Sequence, residues 1–140
     1  MRFNLRVIHQ MERIMEARER SGTEIIRAFC ACWSTLDAAA LANYFTEDGT
    51  YYNMPSVPTQ GRANIEQFIA AFSASWTKTD WEILNILEQG SVVIAERVDR
   101  IMLGDKAVEL PCCGVFELEN GKIKVWRDYF DLNTYMKALG

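Results

Sequence analysis

The spacing of apolar residues changes once along the chain, near Thr79. Before that point they recur every three to four positions. Leu5, Ile8, Met11 and Met15 do so against charged neighbours, which predicts an amphipathic helix over about residues 5–20. Ser21-Gly22-Thr23-Glu24 has the form of a capping box, with Ser21 as N-cap and Glu24 three positions on. The helix it opens carries Ile25, Ile26, Phe29, Trp33 and Leu36 on one stripe. Asp37 restarts a shorter helix holding Leu41, Tyr44 and Phe45, and Asp48-Gly49 marks a turn. Residues 50–54 form a short strand, with Tyr51 and Asn53 on one face and Tyr52 on the other. Residues 55–61 form a loop. Residues 64–75 form a third main helix, with Ile65, Phe68, Ile69 and Phe72 as its stripe.

After Thr79 the texture is that of strands. Four runs, about 80–88, 91–103, 106–119 and 122–129, are separated by Gln89-Gly90, Gly104-Asp105 and Asn120-Gly121. Turns this short join antiparallel strands, and Asn-Gly is the strongest hairpin signal of the three. A last short helix spans about 132–139. Helices first, then a long antiparallel meander, predict an α+β fold. Its curved, mostly antiparallel sheet wraps on the N-terminal helices as a cone with one deep pocket. At 140 residues, with no repeat or internal linker, 1–140 reads as a single domain.

Composition narrows the chemistry. A net charge of −4 with scattered Lys and Arg argues against a nucleic-acid partner. The alternating charges between Glu12 and Arg20 read as a solvated helix face. No apolar run reaches the roughly 18 residues of a membrane span. The segment Met1 to Arg6 has no long apolar region or small-residue cleavage site, so no secretory signal is expected. Cys30, Cys32, Cys112 and Cys113 contain no C-x-x-C spacing and read as free thiols in a reducing, cytoplasmic setting. Cys112 and Cys113, adjacent on a strand, face opposite sides. The one histidine, His9, lies in the charged N-terminal segment. A histidine-based triad or zinc site would have to use it, so any chemistry here runs on carboxylates, Arg, Tyr and amides. No metal or cofactor is expected.

Against that background three charges stand out. Side chains two apart on a strand share a face. Arg97 and Asp99 therefore point with Val93, Ala95, Ile101 and Leu103, and Asp128 points with Trp126 and Phe130. Charges on apolar faces are costly unless paired. A planar guanidinium can fork between two carboxylates, and like-charge repulsion favours keeping one proton on the pair. Such a set is equipment for general acid/base catalysis, and Tyr51 with Asn53 could hold a water beside it. The same residues would also serve as a buried ion bridge with no chemistry. Parity alone leaves both readings open.

The segments that carry these residues resemble the limonene-1,2-epoxide hydrolase family, within the nuclear-transport-factor-2-like (ketosteroid-isomerase-like) cone fold. The likeness runs from about Ser21 onward. It rests on Tyr51-Tyr52-Asn53-Met54-Pro55, Glu96-Arg97-Val98-Asp99, and Gly114-Val115-Phe116 through Gly121-Lys122-Ile123 to Trp126-Arg127-Asp128-Tyr129-Phe130-Asp131. The resemblance implies Asp128 as the base on the attacking water, Asp99 as the acid to the epoxide oxygen, and Arg97 as the link between them. It implies Tyr51 and Asn53 as water holders, in a one-step reaction without cofactor. Ile101 and Phe130 share the faces of the two aspartates, and Trp33, Leu110 and Cys112 match the family's pocket-lining positions. An apolar epoxide and water are the implied ligands, and a homodimer the implied assembly. The alternatives are an epoxide-opening cyclase, a proton-transfer isomerase and a non-catalytic small-molecule-binding module. An isomerase would leave Arg97–Asp99 surplus, and a binding module would have no use for all five polar residues.

Overall fold

A computed structural model of the chain describes residues 4–140, with the side chains of 16–19 left out. Of the N-terminal segment read as lacking a signal, residues 1–3 lie outside the described part. So do the side chains of 16–19 in the charged run, while Glu12, Arg13 and Arg20 are exposed. His9 is exposed as well.

Helix α1 is Leu5–Glu19, and its apolar positions Leu5, Val7, Met11, Ile14 and Met15 face solvent. Helix α2, Gly22–Cys32, begins where the capping box is read: the Ser21 hydroxyl accepts from Glu24 N at 3.2 Å. A second acceptor comes from far along the chain. The Glu88 carboxylate takes the Gly22 N–H at 2.6 Å and the Thr23 N–H at 3.4 Å, placing negative charge on the helix N-terminus. The apolar stripe does not continue as one helix to Leu36. It tightens into a 3₁₀ turn, Trp33–Thr35, and stops at Leu36 in the left-handed region (φ 53°). Ser34 and Thr35 hydroxyls donate to the Ala31 and Cys32 carbonyls there, the local bonding that competes with a helical ladder.

Helix α3 is Ala38–Ala42, capped by Asp37. Phe45, read as helical, instead opens strand β1, Phe45–Asn53. Its position is fixed by partners distant in sequence: Phe45 pairs with Ile123, and its carbonyl accepts both Arg62 Nε (2.9 Å) and Nη2 (2.6 Å). The Asp48-Gly49 turn is a bulge within this strand, since the register shifts between Phe45 and Thr50. The loop after it contains β2, Thr59–Gln60. Helix α4 is Arg62–Phe72, and α5 is Leu132–Leu139.

Strands β3 (Lys78–Gln89), β4 (Val92–Leu103), β5 (Lys106–Glu119) and β6 (Lys122–Phe130) form the expected meander. Asn120 and Gly121 both have positive φ, 50° and 77°, as the tight hairpin turn requires. The six strands run β2-β1-β6-β5-β4-β3 in one open sheet. All neighbours are antiparallel except β1 and β6, which are parallel. On β4, burial alternates: Val93, Ala95, Arg97, Asp99 and Ile101 face inward. Phe29, Ile65 and Ile69 from α2 and α4 meet that face, with Trp126 at the centre of an aromatic cluster that includes Phe29 (5.1 Å) and Phe116 (5.3 Å). Each such buried side chain contributes about 1.5–3 kcal/mol of hydrophobic stabilisation.

Candidate active site

Strand register brings the charged residues together in rows across the inner face. One row runs Trp81–Asp99–Leu110 and the next Ile83–Arg97–Cys112–Phe130. A third runs Ala95–Gly114–Asp128–Asn53, and a fourth Val93–Phe116–Trp126–Tyr51. The three strand faces therefore converge. All five polar residues are buried: Arg97 is 0% exposed, Tyr51 2%, Asp99 and Asp128 3% each, and Asn53 5%.

Arg97 forks both ways. Its Nε and Nη2 donate to Asp99 Oδ1 (2.9 Å) and Oδ2 (2.8 Å). Its Nη1 and the other Nη2 hydrogen donate to Asp128 Oδ1 and Oδ2, both at 2.9 Å. The guanidinium lies 4.6 Å from the Trp81 ring centre and 5.7 Å from that of Trp126, an arrangement that favours a cation. To reach Asp128 it crosses Gly114, where a β-carbon would stand 2.8 Å from Arg97 Nη1. Glycine there is a spatial requirement of the cluster.

The electrostatics follow from dryness and proximity. Burial works to lower the basicity of Arg97, but the two carboxylates outweigh it and keep the guanidinium charged. Burial raises the Asp99 carboxyl above the usual aspartate range, with Arg97 opposing and Asp128 adding to the rise. Burial and the Asp128 charge also push the Tyr51 phenol well up, so it stays a neutral hydroxyl. With one acid protonated, the Arg97–Asp99–Asp128 set is neutral overall. The pair can thus hold one proton and one negative charge, the combination that push–pull acid/base chemistry uses. Asp99, Cys112 and Asp128 bring three metal-capable atoms within 4.8 Å of one another. The charge they would balance is already supplied by Arg97.

The space over this pair is narrow. It measures about 10 Å³ and is walled by Tyr51, Asn53, Asp99, Asp128 and the apolar side chains around them, room for about one water. Asn53 Oδ1 is buried with no hydrogen-bond partner among the described residues. Of the expected apolar walls, Ile101, Leu110 and Phe130 line this space. Trp33 and Cys112 are placed elsewhere. Trp33 is fully buried and stacks behind Trp81 (4.3 Å, 15°), and the Cys112 thiol turns to Asp99 at 3.4 Å. Three further walls, Phe72, Trp76 and Trp81, were not read from the sequence. Strand parity with Ile83 marks Trp81 as inward, but a register shift between Ile83 and Asn85 decides that it faces Asp99. Trp76 lies in the turn before β3, where no periodicity speaks, and donates its indole N–H to Tyr135 Oη at 2.9 Å.

The sequence profile of the limonene-1,2-epoxide hydrolase catalytic domain matches residues 20–140. The epoxide hydrolase EphG of Mycobacterium tuberculosis is 41% identical over 58 residues, a stretch covering 41% of this chain and only 39% of EphG's own length. The structure of an M. tuberculosis LEH-like epoxide hydrolase superposes with a TM-score of 0.72 at 27% identity, covering 83% of this chain and 86% of that one. A Catenulispora acidiphila protein with a ketosteroid isomerase-like fold, crystallised with trimethylamine, gives 0.76 at 22% identity over 84% and 93% of the two chains. The first 19 residues precede the matched domain, and everything that builds the charged cluster lies inside it: the chain belongs to the limonene-1,2-epoxide hydrolase family.

Proposed function

We propose that the protein is a cofactor-independent epoxide hydrolase that adds water to an apolar epoxide and releases a vicinal diol. One observation carries the reading: a protonatable carboxyl and a carboxylate share one arginine beside a space for a single water, next to the Asn53 carbonyl, which has no partner among the described residues. Water held by Asn53, Tyr51 and Asp128 attacks an epoxide carbon and forms the new C–O bond. Asp128 takes the water proton as that bond forms. The ring C–O bond breaks, its electrons go to the oxygen, and Asp99 protonates that oxygen. Acid, base and water are positioned before the reaction, so the weak nucleophile suffices. Arg97 keeps both carboxyls in place and balances whichever one is charged. Return of the proton from Asp128 to Asp99 through solvent resets the site.

The substrate faces Ile101, Leu110, Phe130, Phe72, Trp76 and Trp81, a wall that favours an apolar body. An epoxide larger than a water must displace part of this wall. Phe72, Trp81 and Phe130 are its half-buried members, and Trp81 is held by a hydrogen bond from Nε1 to Thr79 Oγ1 at 3.0 Å and by its stack on Trp33. The assembly proposed is a homodimer through the outer sheet face. There Leu87, Ile94 and Val115 form a continuous cross-strand row and Tyr129 is exposed. A cytoplasmic setting accords with four free thiols.

The test is turnover of a panel of cyclohexene, styrene and terpene-type epoxides in ¹⁸O-labelled water, beside Asp128→Asn and Asp99→Asn. The expected result is label in the diol and near-total loss of activity in both variants. Full activity in Asp128→Asn refutes the assigned base, and full activity in Asp99→Asn the assigned acid. A label-free cyclic product points instead to an epoxide-opening cyclase, and no turnover by folded protein to a binding module.

A further inference from the structure

Cys112 stands against the aspartate read above as proton donor. Its Sγ lies 3.4 Å from Asp99 Oδ2 and equally 3.4 Å from the carbonyl oxygen of Leu110. It is buried at 5% exposure, in register between Arg97 and Phe130. A thiol has one hydrogen to give and a sulfur that accepts weakly. It cannot donate to both oxygens at once.

The two contacts therefore define two states. With Asp99 ionised, S–H points to Oδ2. With Asp99 protonated, S–H turns to the Leu110 carbonyl, and the carboxyl O–H points at the sulfur until a bound epoxide oxygen replaces it as the acceptor. Each state leaves the buried groups satisfied. We infer that Cys112 is a positioning residue for Asp99, a thiol rotor whose hydrogen follows the charge on that carboxyl.

The inference rests on the hydrolase reading, in which Asp99 gives its proton to the epoxide oxygen. As the ring C–O bond breaks and Asp99 becomes a carboxylate, S–H swings from Leu110 to Oδ2 and stabilises the new charge. The thiol keeps its own proton throughout and forms no covalent bond. A thiol suits the place better than a hydroxyl. A strong donor would hold Asp99 ionised in the resting state, whereas a weak one leaves the proton on it until it is needed. The charged and titratable groups that bear on Asp99 are Arg97 on β4, Asp128 on β6, Cys112 on β5, Tyr51 on β1 and Cys30 on α2. Burial pushes both thiols and the phenol up, and Arg97 stays charged, so the two carboxyls are the groups that exchange charge.

The experiment reads the thiol directly. The S–H infrared stretch of Cys112 is assigned by difference against Cys112→Ser and followed with pH in the wild type and in Asp99→Asn. The band should move to lower frequency as pH rises and Asp99 ionises, and should stay fixed in Asp99→Asn. A band that ignores pH in the wild type overturns the inference, and that arm stands even if Asp99→Asn does not fold. The kinetic arm uses the alkaline limb of kcat/KM. Cys112→Ser should move it to lower pH. Cys112→Ala should move it to higher pH and lower kcat about threefold to tenfold with KM nearly unchanged, the loss of one weak hydrogen bond to a forming charge. An unmoved limb in both variants also overturns the inference. If the wild type opens no epoxide, the hydrolase reading fails, and the infrared band still decides whether the thiol follows Asp99.

Discussion

Replacing Gly114 with alanine should break the ion cluster without altering any charged residue. The new methyl would lie 2.8 Å from Arg97 Nη1, 2.9 Å from Phe116 Cε2 and 2.9 Å from Trp126 Nε1. Both aromatic rings are fully buried in the core and have nowhere to go. The guanidinium must therefore yield by about 0.6 Å to reach ordinary contact near 3.4 Å. Its Nη1 bond to Asp128 Oδ1 is 2.9 Å, so a retreat of that size takes the bond to the limit of a hydrogen bond. Overpacking a tight core costs about 1–3 kcal/mol and a charge-assisted hydrogen bond about 1.5–3 kcal/mol, for a loss near 3–5 kcal/mol. The restricted unfolded chain of alanine offsets under about 1 kcal/mol of this. In urea the unfolding midpoint should fall by about 1–3 M, and kcat/KM by about a hundredfold, since a misplaced Arg97 misorients both carboxyls. A Gly114→Ala protein as stable and as active as the wild type would show that Arg97 is not held across this position.

Other outcomes follow from the same geometry. Arg97→Lys keeps the charge but cannot present two forks, and should lower kcat/KM by at least about a hundredfold and stability by about 3–5 kcal/mol; near-normal kinetics would refute the double fork. Because the folded Asp99 pKa is raised above its unfolded value, the proton on Asp99 favours the fold. That contribution is full below the ordinary aspartate range and is lost as pH rises through the folded pKa. The melting temperature of the wild type minus that of Asp99→Asn should therefore shrink as pH rises through this window, and a constant difference would refute it. Trp81→Ala removes the stack on Trp33 and part of the cavity wall; it should cost about 2–4 kcal/mol and raise the rate on bulky epoxides relative to small ones. An unchanged ratio would show that Trp81 does not set the size limit.

Strand parity was enough to place Arg97, Asp99 and Asp128 on buried faces, and short turns were enough to lay out β3 to β6. The Asn120-Gly121 hairpin and the Ser21 cap needed only local chemistry. What parity could not supply was the joining of β1 to β6. That pairing links residues far apart in the chain and sets Asn53 opposite Asp128, and no local pattern encodes it. Phe45 misled for the same reason: its helical spacing is real, but its partners are Ile123 and Arg62. The bulge between Ile83 and Asn85 likewise leaves no trace in the residue pattern, yet it turns Trp81 toward Asp99. Trp33, by its place on the helical stripe, and Cys112, by strand parity, are both buried, and packing around them decided what they touch.

The parallel join of β1 to β6 also sets an order of assembly. Arg97, Asp99 and Cys112 meet within one hairpin, so their contacts close a short loop. Tyr51 and Asn53 meet Trp126 and Asp128 only after a segment longer than half the chain has been brought round. Contacts of long sequence separation carry the larger closure entropy and form later. The arginine and its first carboxylate can thus be in place on a nascent sheet while Tyr51 and Asn53 are still missing. During synthesis β6 emerges after β4 and β5, and a chain that stops short of Asp128 leaves Arg97 with half of its partners. The charge cluster closes when β6 pairs with β5, and the sheet only when β1 joins β6.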